Sequence, residues 1–238
     1  MILYFIRHGD PIYEPDSLTA LGHLQANALA KRLSRYGIEK IYSSSSVRAR
    51  QTAEPTCELL RKKMEILDWC NEDYVWEEFA YTDGDGKNSW IFEKPKALKL
   101  LASDEIRKLG SEWYKHPSFA NGNFENGINR IQKESDALLS SLGYKHNHVN
   151  NTYTCTQKND KRIVLFAHHG FGLIFLSCLL DIPYPMFCTH FVISHSGMTV
   201  IEFPSKDGEI IPAVLQLNND SHIYSEGLPT KYNNRIYL

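Results

Sequence analysis

Two short segments of the chain end an apolar run in the same way: "LYFIRHG" at Leu3–Gly9 and "VLFAHHG" at Val164–Gly170. Each delivers an imidazole followed by a glycine. Arg7 stands directly before His8, and a second arginine, Arg48, lies in "SSSSVRARQTA" (residues 43–53) behind another apolar stretch. Guanidinium groups present a planar fork of donors that matches phosphate oxygens. A phosphomonoester carries roughly two negative charges near neutral pH, so two arginines and two imidazoles would offset it. Gly9 and Gly170 would let the backbone approach a ligand and leave its N–H donors unshielded. A helix starting soon after Gly170 would add the partial positive charge of its N-terminus.

These residues need a scaffold that brings them together. Residues 2–6, 38–43, 64–67, 162–167 and 197–203 read as strands, and the first and fourth are continuous apolar runs of the kind buried on both faces of a parallel sheet. Between the first two lies a helix pattern through Leu21, Leu24, Ala28 and Leu33, with Gly37 as its C′ residue. A second helix candidate covers "VRARQTAEPTCELLRKK", where Pro55 predicts a first turn, a kink or a break. Strands alternating with helices predict an α/β fold, a three-layer α/β/α arrangement around a mostly parallel sheet. In such sheets ligands bind beyond the carboxyl ends of the strands, where His8, His169 and Arg48 fall.

From about residue 68 to 160 the pattern weakens into a polar, aromatic-rich stretch with "DGDG" at Asp83–Gly86 and "NGNFENG" at Asn121–Gly127. Helices are expected there near Pro95–Leu109 and Ile128–Leu142. Its apolar content is thin for a separate core, so residues 1–238 read as one domain with a helical and loop insertion capping the active site. Trp69, Tyr74, Trp76, Phe79, Tyr81 and Trp90 are expected to form the core of that cap rather than a base-stacking platform.

Charge and composition narrow the function classes. With 26 Lys and Arg against 28 Asp and Glu the net charge is −2, and no basic stripe appears, which speaks against a nucleic-acid partner. Five cysteines without a CxxC pair point to reduced thiols rather than to disulfides or a zinc site. The opening apolar run is too short for a signal peptide. The longest apolar stretch, Phe171–Leu180, is well short of the ~20 residues a membrane span needs. A cytoplasmic protein with no membrane partner is the expectation. Oligomeric state is not legible.

"RHG" (7–9), "LTALGHLQA" (18–26), "SSSSVRARQTA" (43–53) and "HHG" (168–170), in this order and each after a strand, resemble the successive motifs of the histidine phosphatase superfamily, the phosphoglycerate-mutase-like family. The resemblance implies that His8 is a nucleophile that forms a phosphohistidine, dividing one displacement into two. It implies that His169 binds the phosphoryl group and that Arg7 and Arg48 clamp its oxygens. No cofactor and no metal are implied. The substrate would be a phosphorylated small molecule or a phosphoprotein. Thr19 and Gly22 match the family's LTxxG turn; Thr19 reads as a helix N-cap and as a substrate contact.

The family's acid is expected about six residues before a Trp-Glu pair, which here falls on Cys70. "LDWCNEDYVWEE" offers Asp68, Glu72, Asp73 and Glu77 instead, and Glu72 is chosen as nearest the expected place. A carboxyl that donates near neutral pH needs a raised pKa. Ser45 stands where the family commonly has proline. His168 and His195 are carried as further substrate-binding candidates, against the plainer readings of a core histidine on the strand's other face and a surface or structural histidine. A zinc hydrolase on His168 and His169 is set aside, because adjacent strand residues point to opposite faces. A phosphoglycerate-type mutase and a non-catalytic phosphate-binding domain of the same fold are the alternatives. Only "DPIYEPDS" separates RHG from LTxxG, shorter than in mutases, and this favours hydrolysis.

Overall fold

The computed structural model describes residues 1–82 and 86–230; Asp83, Gly84 and Asp85 of the "DGDG" stretch and residues 231–238 lie outside the described residues. Its centre is a six-stranded sheet of β1 (Ile2–Arg7), β2 (Lys40–Ser43), β3 (Met64–Ile66), β4 (Arg162–Ala167), β5 (Met198–Glu202) and β6 (Ala213–Asn219), in the order β6-β5-β1-β4-β2-β3. β1, β4, β2 and β3 run parallel; on the other side of β1, β5 pairs antiparallel with it and β6 pairs antiparallel with β5, so β5 alone runs against the rest of this sheet. The sheet is thus mostly parallel, as expected. Five strands were expected; the sixth, "AVLQLNN", exposes Val214, Leu215 and Leu217 at the sheet edge, so it lacks the buried alternation by which a strand is read.

The period-2 alternation along β1 divides the core. Leu3 and Phe5 face a cluster that includes Leu165, Ala167, Phe171 and Phe175, while Tyr4 and Ile6 face one built with Leu29, Leu33, Ala53 and Phe166. The second layer is covered by α1 (Ala20–Leu33) and α2 (Val47–Leu60). The first is covered by α3 (Glu72–Phe79), α4 (Phe124–Ser141) and α5 (His169–Leu180). This is the three-layer α/β/α arrangement.

Several local expectations are corrected. In α1 the buried face runs through Gln25, Ala26, Leu29 and Leu33, and Leu24 points outward. Pro55 neither starts nor breaks α2, which is continuous over 14 residues with the proline inside; α1 is packed along it and holds its course. The helix expected over Pro95–Leu109 is two, Pro95–Leu101 and Asp104–Leu109, because Ser103 caps the second with its hydroxyl on the Ile106 N–H. α4 starts earlier than Ile128, at Phe124, and the segment after it forms a small antiparallel sheet of Tyr144–Asn147, Thr152–Cys155 and Glu209–Ile210.

Residues between 68 and 160 pack into the same apolar cluster as the sheet: Phe79, Trp113, Phe119 and Phe124 are fully buried together with Phe171 and Tyr184. Tyr74 and Trp76, by contrast, are substantially exposed rather than core. α3 is held on α4 by Arg130, whose guanidinium reaches both oxygens of Glu78 at 2.6 and 2.7 Å and the Trp69 carbonyl at 2.9 Å. That clamp fixes the helix whose first residue is Glu72. Among the described residues no helix is long and apolar enough to cross a membrane.

Candidate active site

Register brings the site together. In the β1–β4 ladder Arg7 pairs with Ala167, and the His8 N–H continues it to the Ala167 carbonyl at 2.9 Å. β2 ends beside them, with Ser43 opposite Phe166 and the Ser44 N–H on the Phe166 carbonyl. Three parallel strands therefore stop together at the cleft that follows their carboxyl ends.

His8 is fully buried, and its Nδ1 lies 2.7 Å from the Gly9 carbonyl. A carbonyl only accepts, so Nδ1 carries the proton and Nε2 keeps its lone pair for attack. Burial, followed by Arg7, His168 and Arg48, holds the imidazole pKa well below the usual value, so the ring is neutral at neutral pH. Its ring lies 5.3 Å from that of His168 and 5.6 Å from that of His195.

The partner of His8 at this point is His168, where the sequence pattern nominated His169. The ladder puts His168 in line with His8, one residue beyond paired Arg7 and Ala167. His168 is still extended (φ −132°, ψ 172°) and is the N-cap of α5, whereas His169 is the first helical residue and turns away. The His169 ring sits edge-on to Phe92 and its Nδ1 accepts from the Ile193 N–H at 3.3 Å. Burial first, then Arg7 and His195, holds His169 down to about 3. His168 is wholly buried, yet on the cleft side: its Nε2 is 2.8 Å from Ser44 Oγ and 3.3 Å from Ser46 Oγ. Ser44 Oγ accepts the Ser46 N–H and keeps both its own proton and a second lone pair, so His168 Nε2 can accept from it or donate to it. With Ser44 donating, the ring proton sits on Nδ1, which lies 3.3 Å from Glu72 Oε2 but off line for a hydrogen bond with it.

Of the four carboxylates weighed, Glu72 is the one in the cleft. Its Oε1 accepts from the Phe171 N–H at 3.0 Å, so it occupies the N-terminus of α5 where a ligand anion was expected. Gly170 makes this possible, because a Cβ there would lie 2.6 Å from Glu72 Oε1 and 2.8 Å from the Trp90 ring. Burial raises the Glu72 pKa, against the opposing pull of Arg7 and the Phe171 N–H. Asp68 is engaged outside, accepting from Ser45 at 2.6 Å and Tyr74 at 2.9 Å; Asp73 and Glu77 are exposed.

The two arginines flank the pair. Arg7 gives one N–H to the Ile193 carbonyl at 2.6 Å, and Arg48 gives one to Asp16 Oδ1 at 2.9 Å while lying over the Tyr13 ring at 5.5 Å. Asp16 also accepts from the Val47 N–H at 2.7 Å, which ties the loop after RHG to the start of α2. Among the described residues Arg7 Nε, Arg48 Nε and His168 Nδ1 are buried without a hydrogen-bond partner. Three such donors converging beside His8 fit a polyoxygen anion.

Thr19 and Gly9 serve the frame instead. Thr19 caps α1 at the Gly22 N–H (3.0 Å) and donates to Asp10 Oδ2 (2.7 Å). A Cβ on Gly9 would meet the Gly22 carbonyl at 2.8 Å, and one on Gly22 would meet the Asp10 carbonyl at 2.2 Å, so the two glycines let α1 approach the RHG loop. His195 does reach the pocket: the Ser196 N–H binds the His8 carbonyl at 3.0 Å and seats its neighbour's ring against His8, with Nδ1 3.6 Å from Asp10 Oδ1. Sequence reasoning missed Ser44, Ser46, Tyr13 and Asp16; the run of four serines behind β2 was the available signal for the first two.

By distance His8, Glu72 and His168 could share an ion, since a ligand atom of each lies within 4.8 Å of the others. Arg7 and Arg48 beside them make the spot hostile to a cation and suited to an anion. A groove of about 560 Å³ along α1, lined by Arg32, Arg35 and His222, contains none of these groups.

Comparison with known proteins agrees with the geometry. The family model described as histidine phosphatase superfamily (branch 1) matches residues 3–89. No match was found among curated proteins. Among solved structures, a phosphoserine phosphatase from Entamoeba histolytica in complex with 3-phosphoglyceric acid is 20% identical, with 93% of this chain and 98% of that chain covered and a TM-score of 0.59. A mycobacterial glucosyl-3-phosphoglycerate phosphatase is 19% identical over 91% and 98%, TM-score 0.59. An α-ribazole phosphatase from Shigella flexneri is 19% identical over 92% and 97%, TM-score 0.58. The family model thus accounts for residues 3–89, which carry Arg7, His8, Arg48 and Glu72, and the fold of these phosphatases extends over almost the whole chain.

Proposed function

We propose that the protein is a phosphatase that hydrolyses a phosphomonoester through a phosphohistidine on His8, without a metal ion. The observation that carries the reading is the convergence of a neutral His8, with Nε2 free, and the unpartnered buried donors of Arg7, Arg48 and His168. Nε2 attacks phosphorus in line as the bond to the leaving oxygen breaks, and that oxygen takes the proton of Glu72. In the second half Glu72 accepts a proton from water, whose oxygen attacks phosphorus while the P–N electron pair returns to Nε2. Arg7, Arg48 and the Nδ1–H of His168 hold the three equatorial oxygens, where the transition state spreads its charge. The solved structures of the same fold are named as phosphatases of small phosphate esters, which supports a phosphorylated metabolite as substrate; a phosphoprotein is the other candidate.

The test is hydrolysis of p-nitrophenyl phosphate by wild type and His8→Ala with chelator present, alongside a rapid quench into alkaline denaturant to trap phosphate on the His8 peptide. Turnover and label that both vanish in the variant support the mechanism. A variant that still turns over overturns it.

A further inference from the structure

At the end of α5 opposite the phosphate pocket, two histidines and two aspartates meet. His146 lies on the strand Tyr144–Asn147 and His148 follows two residues later, so the pair share one side of the chain. Their rings are 4.0 Å apart between centroids. Asp136 of α4 faces both, with Oδ1 2.9 Å from His146 Nδ1 and Oδ2 2.8 Å from His148 Nε2. The ligand atoms of the three residues all fall within 4.8 Å of one another.

The outward nitrogens of both rings are also held. His146 Nε2 lies 3.0 Å from Asp181 Oδ2, and His148 Nδ1 lies 2.9 Å from the side-chain amide of Gln132, one turn before Asp136 on α4. Amide oxygen and nitrogen exchange by a flip, so Gln132 can accept from Nδ1–H. A carboxylate only accepts, so the nitrogens facing Asp136 carry protons here; a metal ion would displace those protons while the far N–H groups stay on Asp181 and Gln132, the orientation that metal-bound histidines show. His146 is also stacked on Tyr153 at 4.1 Å, which leaves its ring no freedom to turn. The two carboxylates offset a divalent charge, and no lysine or arginine makes a hydrogen bond or ion pair with Asp136 or Asp181 among the described residues. A groove of about 220 Å³ lined by His148, Gln132, Asn151 and Asp181 opens on the cluster.

We infer that His146 Nδ1, His148 Nε2 and Asp136 bind a divalent transition-metal ion, with zinc the best match to two imidazoles and a carboxylate. Asp181 and Gln132 orient the two histidines, and the groove supplies the remaining coordination position. The ion is a staple, joining α4, the His146 strand and the C-terminal end of α5. α5 has 12 residues, roughly 18 Å of helix, so the staple is separate from the pocket at its N-terminus, and the inference does not depend on how that pocket reacts.

Chelator-stripped full-length protein is titrated with zinc by calorimetry, and with cobalt(II), whose visible absorption reports tetrahedral coordination. His8→Ala removes the other cluster within ligand distance, and His148→Ala removes a half-exposed ligand without opening the core. Asp181→Asn retains a residue suited to the left-handed backbone there (φ 53°) while removing the carboxylate behind His146. The expected result is one equivalent of zinc in wild type and in His8→Ala, binding at least tenfold weaker in His148→Ala with loss of the cobalt band, and a loss of about 10–100-fold in Asp181→Asn. No binding in wild type, binding unaltered by His148→Ala, or binding lost in His8→Ala would each overturn the inference; the first would leave the cluster as an ion-pair network alone.

Discussion

Alanine at His168 should cost far more turnover than alanine at His169, although the sequence motif favours the second. His168 Nδ1 is a buried donor without a hydrogen-bond partner, in a ring 5.3 Å from that of His8. Removing one donor aimed at transition-state charge lowers kcat by about 10²–10³, or ~2.7–4 kcal/mol. Among the described residues His169 makes one hydrogen bond, from the Ile193 N–H, and an edge contact with Phe92. Its loss removes a net contribution of roughly 0.5–1.5 kcal/mol plus some packing. Those terms act on stability, so kcat should fall less than about tenfold while Tm drops by roughly 2–4 °C per kcal/mol in a chain of this size. Steady-state hydrolysis of an aryl phosphate, with a melting curve for each variant, separates the two effects. If His169→Ala lost a hundredfold or more while His168→Ala stayed within tenfold of wild type, the register argument would be refuted.

Other perturbations follow from the same geometry. Arg48→Ala should weaken inhibition by inorganic phosphate by about 10–100-fold, since a hydrogen bond to a charged group contributes ~1.5–3 kcal/mol; an unchanged inhibition constant would remove Arg48 from the anion site. Glu72→Gln should slow esters with poor leaving groups more than activated aryl esters. It should also flatten the fall in rate that wild type shows as pH rises through the Glu72 pKa, which burial has lifted; equal losses for both substrates would argue against the acid role. Gly22→Ala forces a Cβ to within 2.2 Å of the Asp10 carbonyl, a strain of about 1–3 kcal/mol that should lower Tm by roughly 2–12 °C. A wild-type Tm would mean that the RHG loop yields freely.

The fold class was legible because β1 and β4 are unbroken apolar runs placed before turn residues, a pattern that only a sheet covered on both faces accommodates. Glu72 was reached through the family's spacing, as the candidate nearest the expected place among Asp68, Glu72, Asp73 and Glu77 after β3. The choice between His168 and His169 was not legible, because it depends on whether Arg7 pairs with Ala167 or with a neighbour, and a slip of one residue reverses which side chain faces the cleft. Asp16 and Tyr13 escaped notice for a similar reason: they reach Arg48 from a loop whose path is set by tertiary contacts with Val47 and Arg48. β6 was missed because exposed strands carry no burial pattern.

The position of Glu72 also dictates how its proton is supplied. With the cleft empty of substrate, the carboxylate is held by the Phe171 N–H and by attraction to Arg7, and only burial works against its charge. A bound tetrahedral dianion changes that balance. At an effective dielectric near 20, each added negative charge about 5 Å away costs the ionised carboxyl roughly 3 kcal/mol, and the new anion also draws on Arg7. Glu72 should therefore take up a proton as substrate binds, which loads the acid at the moment it is needed. Sulfate is the appropriate probe, because it does not itself titrate near neutral pH. Calorimetric titration with sulfate near neutral pH, in two buffers of different ionisation enthalpy, should reveal net proton uptake in wild type and little in Glu72→Gln. His8 and His168 are both held well below the usual imidazole value, so a bound anion could protonate them as well. Uptake that persists undiminished in Glu72→Gln would assign the proton to an imidazole and leave the leaving oxygen without its proposed donor.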